Sequence, residues 1–341
     1  MRRRIFLLLT ALTLVIGSVP GAQAQAKQRY QVTFLNLFDT VTTILGYEES
    51  EDAFSERADF IYREMETYDH LYDIYNEYPD LVNLCTVNRH PGETFQVDPR
   101  IIGLLTLARE TDEFSGHRTD AMFGSVLRIW HEARENGINN PAEARLPETA
   151  ELEAAAEHTG FDLLEIDPEA GTVCLKDPEA SLDVGALAKG YAVQRVCEQL
   201  PEGYLISAGG NVAATGPKPE GNAWIVGVQD PDSPEEGYLH KVALSRGAAV
   251  TSGDYQRLFM VDGMPYHHII DPETLYPADR WRSVTVIAED SGLADALSTS
   301  LFLMDQEEGQ KLLDRFGAAA MWVTKDRTQL FSPGYEAYLK P

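Results

Sequence analysis

Cysteine is scarce in this chain of 341 residues: only Cys85, Cys174 and Cys197 occur, with no CxxC pair. That excludes a thioredoxin-type redox motif and a cysteine-rich zinc site, and the odd count leaves a thiol unpaired unless two chains join. Cys174 lies in the strand-like TVCLK and Cys197 on the apolar side of a helical stretch, so inert buried thiols are expected there. There is no HExxH either, which removes a further zinc pattern. Positive charge is in deficit, with 28 Lys and Arg against 54 Asp and Glu and a formal net charge of -26. Nucleic acid and anionic membrane surfaces repel such a chain, so no nucleic acid partner is expected. A phosphate ester would need a bound cation to be held here.

Apolar runs are confined to the start. Arg2-Arg3-Arg4 precedes the run Ile5 to Ile16, then come Gly17-Ser18-Val19-Pro20 and the small-residue sites Ala22-Gln23-Ala24 and Ala24-Gln25-Ala26. These are the three regions of a secretory signal peptide, so residues 1–26 are expected to be removed, leaving a mature, exported protein over 27–341. Arg3-Arg4-Ile5-Phe6-Leu7 resembles a twin-arginine signal, although the strongly apolar core suits the general export route. An extracytoplasmic place follows, compatible with the outer face of the cytoplasmic membrane. No Cys near the signal offers a lipoprotein anchor.

The remainder reads as a single α+β domain with mixed, mainly antiparallel sheets and packed helices. YQVTFLNLF is strand-like and is followed by a polar stretch. A helix is expected from Asp52 to Tyr72, where Phe54, Ala58, Ile61, Met65 and Tyr68 recur at helical spacing. Others fit Pro99 to Glu110, Ala121 to Glu135, Glu148 to His158, Gly292 to Met304 and Gln306 to Phe316. Short strands dominate between Phe161 and His268, and Asp262-Gly263 divides RLFMV from MPYHHII as a hairpin turn. A terminal hairpin is expected from Ala320 to Phe331.

SLDVGALAKGYAVQ, residues Ser181 to Gln194, is close to a phosphate loop but fails its spacing, since Lys189 precedes its glycine and Tyr191 follows. The plain reading is a helix start with Asp183 as N-cap and a stripe of Leu187, Tyr191, Val193 and Val196. ISAGGNV places Gly209-Gly210-Asn211 directly after a strand, where glycine permits a tight turn or a close approach to ligand. VTSGDYQR offers Thr251, Ser252 and Gly253 as hydroxyl and amide donors. YHHIIDP holds adjacent histidines that a strand would point to opposite faces, either satisfied in the core or, for one of them, acting as general base. In GLADALSTSLFLM, Asp295 and Thr299 stack one helical turn apart on a helix that is apolar on two sides. A buried carboxylate needs a partner, and carboxylate with hydroxyl oxygen suits a hard cation such as Mg²⁺.

The order of FDTVTTI, TDAMFGSVLRIW, SLDVGALAKGYAV, ISAGGNVAATG, WIVGVQDP, TSGDYQRLF, YHHIIDPETLYP and ADALST resembles the ApbE-like FAD:protein FMN transferases, from about Phe38 to Met304. The resemblance implies a T-fold-related domain and an extracytoplasmic, Mg²⁺-dependent enzyme. Such an enzyme splits FAD, attaches FMN by a phosphoester to Thr or Ser of an acceptor flavoprotein and releases AMP. It implies side-chain metal ligation by Asp295 and Thr299 and ligation by the Ala186 carbonyl, which must then stay out of a helix. It places FAD against Asp183, Lys189, Gly209, Gly210, Asn211, Thr251, Ser252 and Gly253, with Asn88 and Asp120 from neighbouring stretches. His268 is the expected base, with Asp295 as the other catalytic group. The same site could instead hydrolyse FAD to FMN and AMP, or bind flavin without turnover. Phe38-Asp39-Thr40 stands where the family has Met-Gly-Thr, and Leu275 where it has Gly after Asp-Pro-x-Thr.

Overall fold

The computed structural model describes residues 26–233 and 237–341, so the signal-like residues 1–25 lie outside the described residues. Among the described residues no helix is long and apolar enough to cross a membrane. Eight strands form one sheet in the order Gln28–Leu37, Thr40–Glu48, Tyr204–Ala208, Asn211–Ala214, Gly247–Gly253, Trp281–Ala288, Ala319–Thr324, Gln329–Phe331. Every neighbouring pair in it is antiparallel. The sheets are mainly antiparallel, as expected, and among the described residues the parallel pairing is the isolated bridge Phe123–Ser181.

Strand periodicity divides the core between the two faces of this sheet. Ala248 and Val250 join the larger core, whereas Ala249 between them joins a second cluster. Val284 and Val286 likewise face the first, and Ile287 the second. Against the first face pack helices Glu51–Tyr72, Ala188–Cys197 and Ser291–Leu303. Against the second lie Trp224, Val242 and Tyr335, from a small three-stranded sheet and the C-terminal turn. A third cluster, built on Phe123, Trp130, Phe259 and Ile270, joins helix Gly124–Asn139 to the hairpin Phe259–Val261/Met264–Tyr266. The turn of that hairpin is Asp262-Gly263, both at positive φ, as the dipeptide predicts.

The helix Glu51–Tyr72 buries Phe54, Ala58, Ile61, Met65 and Tyr68, and Ser50 caps it by accepting from the Ala53 amide. The third helix runs on to Ser115, beyond the expected Glu110, and ends at Gly116 in the left-handed conformation. Several elements escape the sequence reading, the sheet strand Trp281–Ala288 and the short strand Thr94–Gln96 among them. The supposed polar stretch contains the strand Thr40–Glu48, joined to its predecessor by Phe38 and Asp39, both at positive φ. The short helix Leu84–Arg89 is held by a capping box between Asn83 and Thr86. All three cysteines are free; Cys85 is buried, while Cys174 and Cys197 are only partly so.

Candidate active site

A cavity of about 690 Å³ opens between the Phe38-Asp39 turn, the Asp183–Lys189 loop, the Gly209-Gly210 turn and the end of strand Gly247–Gly253. Its volume is in the range of small-molecule and cofactor pockets. Of the fourteen residues singled out from sequence, thirteen border it: Asp120, Asp183, Ala186, Lys189, Gly209, Gly210, Asn211, Thr251, Ser252, Gly253, His268, Asp295 and Thr299. Asn88 does not. Its Nδ2 donates to the Leu182 carbonyl at 2.9 Å, and the Leu182 amide donates to its Oδ1 at 2.8 Å. Both ends of the amide are spent on the chain behind the cavity, so Asn88 supports Asp183 instead of facing a ligand.

That clamp also explains why Asp183 is not a helix cap. Residues 181–183 are held extended by Asn88, by Gly124 N–H to the Ser181 carbonyl at 3.1 Å and by Asp183 N–H to the Ala121 carbonyl at 2.8 Å. Asp183 Oδ1 instead accepts from Gly185 N–H at 2.8 Å, closing a tight turn. The helix begins five residues after Asp183, at Ala188, and Leu187 before it offers no side-chain cap.

The consequence falls on Ala186. In a regular helix the Gly190 amide would donate to the carbonyl four residues back, that of Ala186. Here it donates to Asp295 Oδ2 at 2.8 Å, across the gap to the neighbouring helix. The Ala186 carbonyl accepts no hydrogen bond among the described residues and borders the cavity. The approach requires glycine: a Cβ on Gly190 would stand 2.4 Å from the Ser291 carbonyl oxygen and 2.4 Å from Asp295 Cβ.

Asp295 is buried at 5 % exposure. Burial pushes its carboxyl pKa up, opposed by the charge of Lys189, the Gly190 amide and the Asn211 side chain. With Oδ2 on Gly190, the other oxygen remains for a ligand. Thr299, one turn on, meets Ser252 Oγ at 3.3 Å, and that hydroxyl is held at 2.8 Å by Ser298. Thr251 is turned away into the sheet, its hydroxyl 2.8 Å from that of Thr285. Asn211 Oδ1 accepts from Ser291 Oγ at 2.6 Å, tying the Gly-Gly-Asn turn to the start of the Asp295 helix. Among the described residues no group of three His, Cys, Asp or Glu side chains could hold a metal ion. The available set is one carboxylate, one free carbonyl and one hydroxyl, all hard oxygen donors, which fits Mg²⁺ and leaves positions for phosphate oxygens and water.

The two histidines lie just beyond strand Met264–Tyr266, not within it as expected, yet they do part ways. His267 is buried; its Nε2–H donates to the Ala278 carbonyl at 2.9 Å and its Nδ1 accepts from Ile269 N–H at 3.2 Å. Both nitrogens are engaged. His268 donates Nδ1–H to the Gln256 carbonyl at 3.2 Å, which fixes the tautomer and leaves the Nε2 lone pair open. Burial and the nearby charge of Arg257 depress its pKa to about 3, so the ring is neutral. At the opposite wall Asp120 is raised to about 6 by burial, against the Met122 amide that donates to it at 2.7 Å.

Sequence reading missed Gly190, Gln256, Arg257, Arg134 and Tyr75, all but Gly190 on the cavity wall. Gly190 carried a signal, since glycine inside a helical stripe suggests close backbone approach. The others are ordinary polar residues whose placement depends on long-range packing. Leu275 is held at φ 61, in the left-handed region that favours glycine. It packs in the Trp130 cluster, and its carbonyl accepts from Trp130 Nε1 at 2.9 Å.

Comparison with known proteins agrees with this architecture. The ApbE family profile matches residues 38–322. An FAD:protein FMN transferase of Klebsiella pneumoniae (strain 342) is 29% identical over 279 residues, 77% of this chain and 83% of its own length. One from Treponema pallidum (strain Nichols) is 31% identical over 273 residues, 74% of this chain and 73% of its own. The crystal structure of the ApbE protein from Thermotoga maritima MSB8 superposes with a TM-score of 0.82 at 30% identity, covering 92% of this chain and all of that one. The flavin transferase ApbE from Vibrio cholerae shares the fold, with a TM-score of 0.76 at 24% identity over 92% of this chain and all of its own. The chain belongs to the ApbE family.

Proposed function

We propose that this chain is an FAD:protein FMN transferase that uses Mg²⁺, joins FMN through a phosphoester to a Thr or Ser of an acceptor flavoprotein and releases AMP. One observation carries the reading: the Gly190 amide is diverted to Asp295, which leaves the Ala186 carbonyl free beside a buried carboxylate. Ala186, Asp295 and Thr299 would hold the ion. When bound, Mg²⁺ supplies the positive charge that this acidic chain lacks and that a pyrophosphate needs.

The chain's own groups do the rest. Lys189 extends over the same wall, its Nζ 3.5 Å from the Gly185 carbonyl, and supplies a cation for the phosphates. The Gly209-Gly210 turn lets ligand approach the backbone, since neither residue carries a Cβ there. His268 Nε2 takes the proton of the acceptor hydroxyl as its oxygen bonds to the phosphorus of the FMN half. The phosphorus–oxygen bond to the AMP half breaks, and AMP leaves with the electron pair. A neutral imidazole is the form that can accept this proton. Export is part of the proposal, supported by the three-region signal of residues 1–26. A secreted form that retained Met1 by mass analysis would refute it.

The test is incubation with FAD, Mg²⁺ and an acceptor flavoprotein, followed by mass spectrometry of protein and nucleotide. The acceptor should gain FMN as AMP appears; AMP and free FMN without adduct would mean hydrolysis instead. His268→Ala should abolish transfer with FAD affinity nearly intact, because a base acts on the acceptor and not on ground-state binding. His267→Ala should lower stability, since it strips partners from the Ala278 carbonyl and the Ile269 amide.

A further inference from the structure

A line of hydroxyls connects the candidate metal site to the protein interior. Strand period sets its first contact. Ser252 lies on the face of strand Gly247–Gly253 that carries Ala248 and Val250, the face against which helix Ser291–Leu303 packs. Its Oγ stands 2.8 Å from Ser298 Oγ and 3.3 Å from Thr299 Oγ1, both on that helix. Ser298 is fully buried, and its Oγ is 2.9 Å from the Asp295 carbonyl oxygen. Thr251, on the opposite strand face, is turned to Thr285 and takes no part.

The buried end of this line fixes the direction of every proton in it. A carbonyl oxygen only accepts, so Ser298 spends its single hydroxyl proton on Asp295. Ser298 Oγ then meets Ser252 as acceptor, and Ser252 donates to it. With that proton spent, Ser252 in turn accepts from Thr299. Thr299 therefore aims its proton at Ser252 and keeps both lone pairs of Oγ1, on a residue that borders the cavity. A cation takes a lone pair and repels a hydroxyl proton, so threonine serves as a metal ligand only in this polarity. The reverse order, with the Thr299 proton toward the cavity, would suit a phosphate oxygen instead.

We propose that Ser252 and Ser298 are positioning residues that orient Thr299 as an oxygen ligand for Mg²⁺, and that Ser252 is not a contact for FAD in its own right. This rests on the metal reading of the site. The test follows the melting temperature of the FAD-loaded full-length protein, without acceptor, as Mg²⁺ is raised; the midpoint of the rise reads Mg²⁺ affinity. Ser252→Ala should move that midpoint to about ten-fold higher Mg²⁺, the usual scale when a metal ligand loses its supporting hydrogen bond. Ser298→Ala, at a residue that does not border the cavity, should move it the same way by less, because Ser252 is then free to donate in either direction. In a Thr299→Val background no ligand hydroxyl remains to be oriented, so adding Ser252→Ala should change nothing further. Melting temperature and FAD affinity in chelator should stay near wild type in both serine variants, which separates orientation from misfolding. An unmoved midpoint in either serine variant, a further loss in the Thr299→Val background, or weakened FAD binding in chelator overturns the proposal. A wild type whose melting does not respond to Mg²⁺ would sink the metal reading and this inference with it. A wild type that responds, beside a Ser252→Ala variant that responds equally, would sink the inference alone.

Discussion

The two helices that meet at the site begin in opposite ways. Ser291–Leu303 starts by rule: Asp290 precedes it, Asp290 Oδ1 accepts from the Leu293 amide at 2.8 Å, and the Ala294 amide bonds back to the Asp290 carbonyl. Ala188–Cys197 starts by exception. No side chain caps it, Leu187 stands at φ -146, and the Gly190 amide leaves its own helix for Asp295. Helix ends always present unpaired backbone groups, and a cap spends them on stability. The second helix leaves them for the site: its amide positions a carboxylate, and the carbonyl it abandons would serve as the proposed ligand. Local rules fail where the chain is working.

The largest expected effect comes from removing the group the two helices share. Asp295→Ala should remove nearly all transfer activity and most Mg²⁺ affinity, because it deletes the one charged oxygen among the proposed ligands. Stability separates ligand loss from misfolding. The wild type should melt at a higher temperature in Mg²⁺ than in chelator, since a ligand bound only to the native state stabilises it. The variant should show no such difference. In chelator the two should lie close, because relief from burying Asp295 offsets the Gly190 amide left without its acceptor. A variant that kept the wild-type Mg²⁺ response would place the metal elsewhere.

Gly190→Ala tests the crossing itself. Alanine is the better helix former by about 1 kcal/mol, so an unconstrained position would gain stability. Here its Cβ meets the Ser291 carbonyl oxygen at 2.4 Å and Asn211 Nδ2 at 2.8 Å. Overpacking of this kind typically costs about 1–3 kcal/mol, so a net loss is expected, read as a fall in melting temperature. Displacing Asp295 by about 1 Å would lower activity on the order of 100-fold. A more stable and fully active variant would show that the helices can part without consequence.

This comparison also marks what was legible. Helix Ser291–Leu303 and its Asp295–Thr299 face follow from spacing alone, as do helices Glu51–Tyr72 and Gln306–Phe316 with their buried stripes. The late start of the other helix does not. Asp183 has the chemistry of a cap, but contacts from Asn88 and Ala121, distant in sequence, hold the chain extended there. Only the demand that the Ala186 carbonyl stay free, brought by the family resemblance, pointed to a later start. The Thr40–Glu48 strand was hidden because its threonines read as polar, although Thr42 is fully buried within the sheet. Arg134 and Arg257 could not be placed on the cavity by any local pattern.

Thr299→Val should be milder than either change above. It removes a neutral oxygen while preserving shape, and Ser252 keeps its bond to Ser298 at 2.8 Å. Activity should fall at low Mg²⁺ and partly recover as Mg²⁺ is raised. A loss as deep as that of Asp295→Ala, unmoved by Mg²⁺, would assign Thr299 a role other than ligand.

Asp290→Ala closes the series, because it damages the regular helix start and spares the irregular one. It removes a side-chain cap, which typically costs about 1 kcal/mol. It also removes the contact with Arg195 Nη2 at 3.3 Å, a partly exposed pair worth roughly 0–1 kcal/mol and screened by salt. Melting temperature should therefore fall by a few degrees. The Asp295–Gly190 bond forms more than a turn further along and does not involve the cap. Transfer rates below the new melting temperature should remain close to wild type, and so should the Mg²⁺ concentration for half-maximal activity. Were Asp290→Ala to impair activity as strongly as Gly190→Ala, the two helix starts would not differ in function, and the contrast between them would be only geometric.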